Sequence, residues 1–258
     1  MRIVVKVGTS TLAHSTGRLN IRHVEALCKT MADLKNAGHQ LVLVSSGAIG
    51  MGVGKLNLTQ RPADIATKQA AAAVGQCELM YTYDKLLGEH NHTVAQVLLT
   101  AEDLADPGRR RNIETTLERL LALGALPVVN ENDTVATAEI TVGDNDTLSA
   151  IVAESVRAEL LILLSDIDGL YTADPHKDPT ARLVPEVHGI SPQLLAAAGG
   201  AGTAQGTGGM ATKLAAAQRA NAAGIQMVIA NGERPEILYD IVAGKPVGTR
   251  FYAKEAAT

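Results

Sequence analysis

Apolar residues follow two rhythms along this chain. Short, nearly unbroken runs recur at residues 2–7 (RIVVKV), 40–46 (QLVLVSS), 93–99 (TVAQVLL), 126–130 (LPVVN), 159–166 (ELLILLSD) and 226–231 (QMVIAN). A strand with one wet face would alternate polar and apolar, so these runs predict strands buried on both faces, as in a parallel sheet. Between them the spacing turns helical. Within 21–37, Val24, Leu27, Met31 and Leu34 share one face and Gly38 supplies a stop. Residues 63–88 form a long alanine-rich helical stretch, 109–123 carry Ile113, Leu117, Leu120 and Leu121 at helical spacing, and 213–223 give another. Strand and helix in alternation predict an α/β fold with helices on both faces of the sheet. No composition shift or fixed-period repeat divides the chain, so 1–258 read as one domain.

In an open α/β sheet, ligands bind beyond the carboxyl ends of the strands. Polar and small residues collect there: Lys6-Val7-Gly8-Thr9-Ser10, Ser45-Ser46-Gly47, Asn130-Glu131-Asn132-Asp133 and Ser165-Asp166-Ile167-Asp168-Gly169. Two segments can offer free backbone N–H groups to a phosphate. One is Gly8-Thr9-Ser10; the other is Thr207-Gly208-Gly209-Met210-Ala211-Thr212-Lys213, which ends in a cation at a helix start. The pattern GxxxxGK[ST] is absent, and neither GTGGMA nor GMGVGK satisfies GxGxxG, so the chain is no P-loop enzyme and lacks the dinucleotide marker.

Lys6 interrupts an apolar strand. If buried it needs an anionic partner; on an edge strand it would reach solvent instead. With Lys213 it forms a pair of point charges suited to a transferring phosphate, and such a pair repels when empty. An acid between them would settle it. The stretch GDNDTL at 143–148 offers Asp144 and Asp146, either of which could be that acid, or which could simply cap the helical pattern that follows.

Composition narrows the field. At 258 residues, 46% hydrophobic and 19% charged, the chain can bury a sizeable core and is not disordered. That core is aliphatic, with no Trp, one Phe (Phe251) and five Tyr. A formal charge of −4 supplies no basic surface to track a phosphate backbone, which argues against nucleic acid as a partner. No run approaches the ~20 apolar residues of a membrane span. The first run is too short for a signal-peptide core, and the expected compartment is the cytoplasm. Cys28 and Cys77 both fall inside helical patterns and read as buried free thiols. His90-Asn91-His92 reads as a surface turn. Arg109-Arg110-Arg111 opens a helix where the dipole disfavours cations, and reads as a solvated face, with an anion contact or subunit interface as the alternative.

Six blocks together resemble the amino acid kinase family: VVKVGTS at 4–10, LVSSGAI at 43–49, VNENDTV at 129–135, GDNDTLSA at 143–150, LLSDIDGLYTADP at 163–175 and GTGGMATK at 206–213. The resemblance implies a three-layer αβα sandwich around a mainly parallel sheet, with ATP and an amino acid end to end over its carboxyl edge. It implies phosphoryl transfer from ATP to the γ-carboxylate of L-glutamate, with Mg²⁺, at the start of proline biosynthesis. By the same resemblance Lys6 and Lys213 handle phosphate and Asp146 orients them. Gly8, Ser165, Asp166 and residues 207–213 (Thr207, Gly208, Gly209, Met210, Ala211, Thr212, Lys213) serve the nucleotide, and Ser46, Asp133, Asp144 and Asn145 the glutamate. No protein metal ligand is assigned. Implied partners are an oligomer of identical chains, L-proline as feedback inhibitor and a reductase that consumes the labile glutamyl phosphate. Many members carry a C-terminal PUA domain; here the sequence stops at Thr258 after the kinase portion, so a form without that domain is expected. Within the family, aspartate, acetylglutamate and UMP are the rival acceptors; outside enzymes, a non-catalytic sensor of the same fold is the rival.

Overall fold

The computed structural model describes residues 1–14, 18–60, 62–136, 145–175, 177–191, 194–195 and 209–253. Its strands are β1 (Arg2–Val7), β2 (Gln40–Ser45), β3 (Val94–Leu99), β4 (Leu126–Glu131), β5 (Leu160–Ser165), β6 (Glu186–His188), β7 (Gln226–Asn231) and β8 (Thr249–Tyr252). They form one sheet in the order β3-β4-β2-β1-β5-β7-β8-β6. Every neighbouring pair is parallel except β7 with β8. The apolar runs predict β1 to β5 and β7; β6 and β8 are too short to show a period. Because β1 lies between β2 and β5, Lys6 sits in the sheet interior and not on an edge.

The helices among the described residues are α1 (Thr9–Leu12), α2 (Ile21–Asn36), α3 (Ala48–Lys55), α4 (Ile65–Gly88), α5 (Ala101–Ala105), α6 (Pro107–Ala122), α7 (Asn145–Ser155), α8 (Met210–Ala222) and α9 (Ile237–Val242). Their starts follow local chemistry. The Asn20 side chain accepts from His23 N–H, Asp64 from Thr67 N–H and Asp106 from Arg109 N–H, with Pro107 opening α6. α5 begins with a reciprocal capping box between Thr100 and Asp103.

Two apolar clusters flank the sheet. Ile3, Val5 and Val7 join α2, α4 and α9 on one face. Val4 joins α6, α7 and α8 on the other, completing the αβα sandwich. Since successive strand residues point to opposite faces, Lys6 shares the face of Val4, beneath α7 and α8. The cations at the start of α6 are met by acids: Arg109 pairs with Asp103 at 3.0 Å, and Arg110 with Glu114 and Glu154 at 3.1 and 2.9 Å. Glu154 also takes Arg219 at 2.7 Å, tying α6, α7 and α8 together.

One sequence reading is corrected. Cys28 is buried, and burial pushes its thiol up to about 12, but Cys77 is exposed. On α4 the inward face carries Gln76, Leu79, Tyr83 and Leu87, and Cys77 is one residue, about 100° of helix rotation, past Gln76.

Candidate active site

Parallel pairing aligns the carboxyl ends of the strands. Val7 lies opposite Ser45 on one side and Leu164 on the other, Ser165 opposite Asn231, and Leu98 opposite Asn130. Every polar segment expected at this edge therefore opens on the same side of the molecule. Gly8 starts α1 directly over the lysine, and a β-carbon there would stand 3.7 Å from Lys6 Nζ. Gly47 starts α3 with φ of 104°, a left-handed conformation that glycine adopts without strain.

Asp146 is the centre of the arrangement. It lies in the first turn of α7 with no solvent exposure. Its Oδ1 meets Lys6 Nζ at 2.6 Å as an ion pair, and its Oδ2 accepts from Lys213 Nζ and from Thr212 Oγ1, both at 3.1 Å. The two lysines are themselves 9% and 7% exposed. Burial alone would push this carboxyl up; the two ammonium groups outweigh it and hold Asp146 below the usual aspartate range. One carboxylate thus holds two cations from β1 and α8, leaving a net positive charge at the sheet edge.

Beside this cluster is a chain of amides. Asn145, the first residue of α7, donates through Nδ2 to Ser46 Oγ at 2.7 Å, to Asn130 Oδ1 at 3.0 Å and to Ser45 O at 3.3 Å. Asn130, 2% exposed, donates in turn to Gln76 Oε1 at 2.9 Å. Asp133 lies half-buried in the turn after β4. Because Asn145 and Asp146 are adjacent, α7 joins the amide chain to the ion cluster.

At the other end, Ser165 closes β5 and donates to Asp166 Oδ1 at 3.1 Å. Both line a cleft of about 730 Å³ shared with Ser10, Thr11 and Asn231. The lysines do not line it; cleft and ion cluster are separate features of one edge. Gly209 precedes α8, with Met210, Ala211 and Thr212 in its first turn. The structure thus gathers Lys6, Gly8, Ser46, Asp133, Asn145, Asp146, Ser165, Asp166 and residues 209–213 at the carboxyl edge. Asp144, Thr207 and Gly208 lie outside the described residues. Gln76 and Asn130 were not among the expected site residues. Gln76 had a signal, a polar residue on the helical stripe of Leu79, Tyr83 and Leu87.

A sequence model of the amino acid kinase family matches residues 1–231. The chain belongs to the amino acid kinase family. Among relatives, the glutamate 5-kinase of Clostridium perfringens is 52% identical over 98% of this chain and 96% of its own. That of Symbiobacterium thermophilum is 56% identical over 97% and 95%. Solved structures share the fold at low identity. A carbamate kinase from Giardia lamblia bound to AMP-PNP superposes with a TM-score of 0.68 at 17% identity, covering 98% of both chains. A UMP kinase from Bacillus anthracis gives 0.67 at 16%, covering 98% of this chain and 96% of that one. These two carry the amino acid kinase fold and leave the acceptor open.

Proposed function

We propose that this chain transfers the γ-phosphoryl group of ATP to the γ-carboxylate of L-glutamate, forming L-glutamyl 5-phosphate for proline biosynthesis. The observation that carries the reading is the buried Asp146 carboxylate shared by Lys6 and Lys213. The choice of glutamate among the family's acceptors is supported by relatives named glutamate 5-kinase at 50–56% identity.

A free γ-carboxylate titrates at about 4.3, so it is a nucleophile at neutral pH without a general base. Catalysis then consists of holding that oxygen in line with the γ-phosphorus while fixed charges take up what develops on the phosphoryl oxygens. Lys6 and Lys213 are already desolvated and held by Asp146, so they need little reorganisation when phosphate arrives. Gly8 lets a phosphate approach the Lys6 ammonium closely. Ser165, Asp166 and residues 207–213 hold the nucleotide, while Ser46, Asp133, Asp144 and Asn145 hold glutamate. Mg²⁺ bound with ATP would supply charge neutralisation on the phosphates, and would need one or two protein carboxylates besides phosphate and water. Asp166 fits as such a carboxylate because it is exposed at the nucleotide end, whereas both oxygens of Asp146 are occupied by lysines. The whole of 1–258 acts as one kinase domain. The acyl phosphate product is labile, so a reductase must take it up.

The test is ATP turnover with hydroxylamine trapping, comparing glutamate, aspartate, acetylglutamate and UMP as acceptors. Glutamate-dependent hydroxamate is expected, and Lys213→Ala should lower kcat by about 10²-fold or more if the ammonium acts on developing charge. No glutamate hydroxamate from the wild type rejects the reaction; near-normal kcat in Lys213→Ala rejects the role of the lysine. A sensor of the same fold would bind both ligands and turn over neither.

A further inference from the structure

Gln76 lies on α4 and is 7% exposed, buried against the amide chain at the glutamate end. We infer that Gln76 is a positioning residue: through Asn130 it fixes Asn145 in the one amide orientation that offers its carbonyl oxygen to the substrate. The inference rests on the glutamate reading above.

The orientation of each amide follows from partners that can play only one hydrogen-bonding role. Glu131 N–H can only donate, and it faces one end of the Asn130 side chain at 2.9 Å, so that end is the oxygen. The Asn130 nitrogen must then point at α4, where Gln76 Oε1 accepts it at 2.9 Å. Ser45 O can only accept, and it faces Asn145 at 3.3 Å, so the nitrogen of Asn145 is turned inward, toward Ser45, Ser46 and Asn130. Asn145 is left with its oxygen as the group to present, the right polarity for the ammonium of an amino acid.

Gln76 secures this chain at its far end. Without an acceptor on α4 the Asn130 amide nitrogen would be buried and unpaired, and rotating the side chain to rescue it would set that nitrogen against Glu131 N–H and Asn145 Nδ2. The Gln76 Nε2 has no partner among the described residues. A leucine would fill this helix position without burying that unpaired donor, so what the amide contributes is its oxygen.

Steady-state kinetics on the full chain decide the matter. Gln76→Leu should raise KM for L-glutamate by about tenfold or more, the loss of one well-placed hydrogen bond, with KM for ATP within about twofold of wild type. Gln76→Asn stays polar but withdraws the oxygen by one methylene, and it carries the same expectation should the leucine variant not fold. An unchanged KM for glutamate, or KM values for glutamate and ATP that rise together as in a general loss of structure, overturns the inference. Because wild-type hydroxamate formation is measured alongside, failure of the glutamate reading is told apart from failure of the Gln76 role.

Discussion

Asp146 concentrates the electrostatics of this molecule in one side chain. Its carboxyl is held below the usual aspartate range in the folded state, so the unfolded chain binds the proton more readily as pH falls. The sign follows: its contribution to stability is fully present above the unfolded value, 3.8, and is lost as pH drops through the lower folded value. Asp146→Asn would leave Lys6 and Lys213 buried without a counter-charge. Breaking such a pair from one side costs about 3–5 kcal/mol. The variant should therefore be less stable than wild type by about that amount at pH 7, and the gap should narrow once pH falls below 3.8. Urea unfolding across pH 3 to 7 measures it, and a gap that is constant with pH would mean Asp146 is not a carboxylate paired to both lysines.

At the scale of elements, the crossing of α3 and α4 sets where the amide chain begins. A β-carbon on Gly52 would fall inside the van der Waals contact of Ala71 O, and one on Gly75 inside that of Ala48 O, so the two backbones touch. Gln76 follows Gly75 directly, and this contact places it over Asn130. Gly75→Ala should cost about 1–3 kcal/mol by overpacking. Gly88→Ala, at the end of the same helix where nothing lies within 4 Å, should gain up to about 1 kcal/mol from helix propensity. Equal effects of the two in urea unfolding would contradict the close crossing. The same crossing explains why α3 was not legible in the sequence. AIGMGVGK reads as a loop by propensity because of its glycines, yet one of them is what lets the helix approach its neighbour. Strands β1 to β5 and β7 were legible because burial on both faces leaves a continuous apolar run. Lys6 was legible because a charge in an apolar run demands a partner, and Lys213 because it closes a glycine-rich turn at a helix start; the residues left Asp144 and Asp146 both open as the acid between them, and the resemblance chose Asp146. Asn130 was legible as part of a polar strand end and Gln76 as a polar residue on an apolar helical stripe, but not their pairing: neutral amides carry no demand for a particular partner until the fold sets them side by side.

The whole molecule joins these pieces through α7, whose first two residues belong to different clusters: Asn145 to the serines at the end of β2 and the amides of β4 and α4, Asp146 to the lysines from β1 and α8. Among the described residues the amide cluster forms without any nucleotide, and none of its hydrogen bonds there runs through Lys6, Lys213 or residues 209–212. L-Glutamate should accordingly bind the free protein and stabilise it by mass action, about 2.7 kcal/mol at 100 times its Kd. The site draws on residues from β1 to α8, so that stabilisation should act on global unfolding, raising the urea midpoint without changing the denaturant slope. Asn145→Ala should abolish the shift from glutamate while preserving one from a non-hydrolysable ATP analogue, because Ser165 and Asp166, proposed for the nucleotide, lie after β5 and take no part in the hydrogen bonds that Asn145 makes among the described residues. If glutamate alone, at concentrations that saturate turnover, leaves the midpoint unmoved, the acceptor end is not preformed and the amide chain must be assembled by the nucleotide.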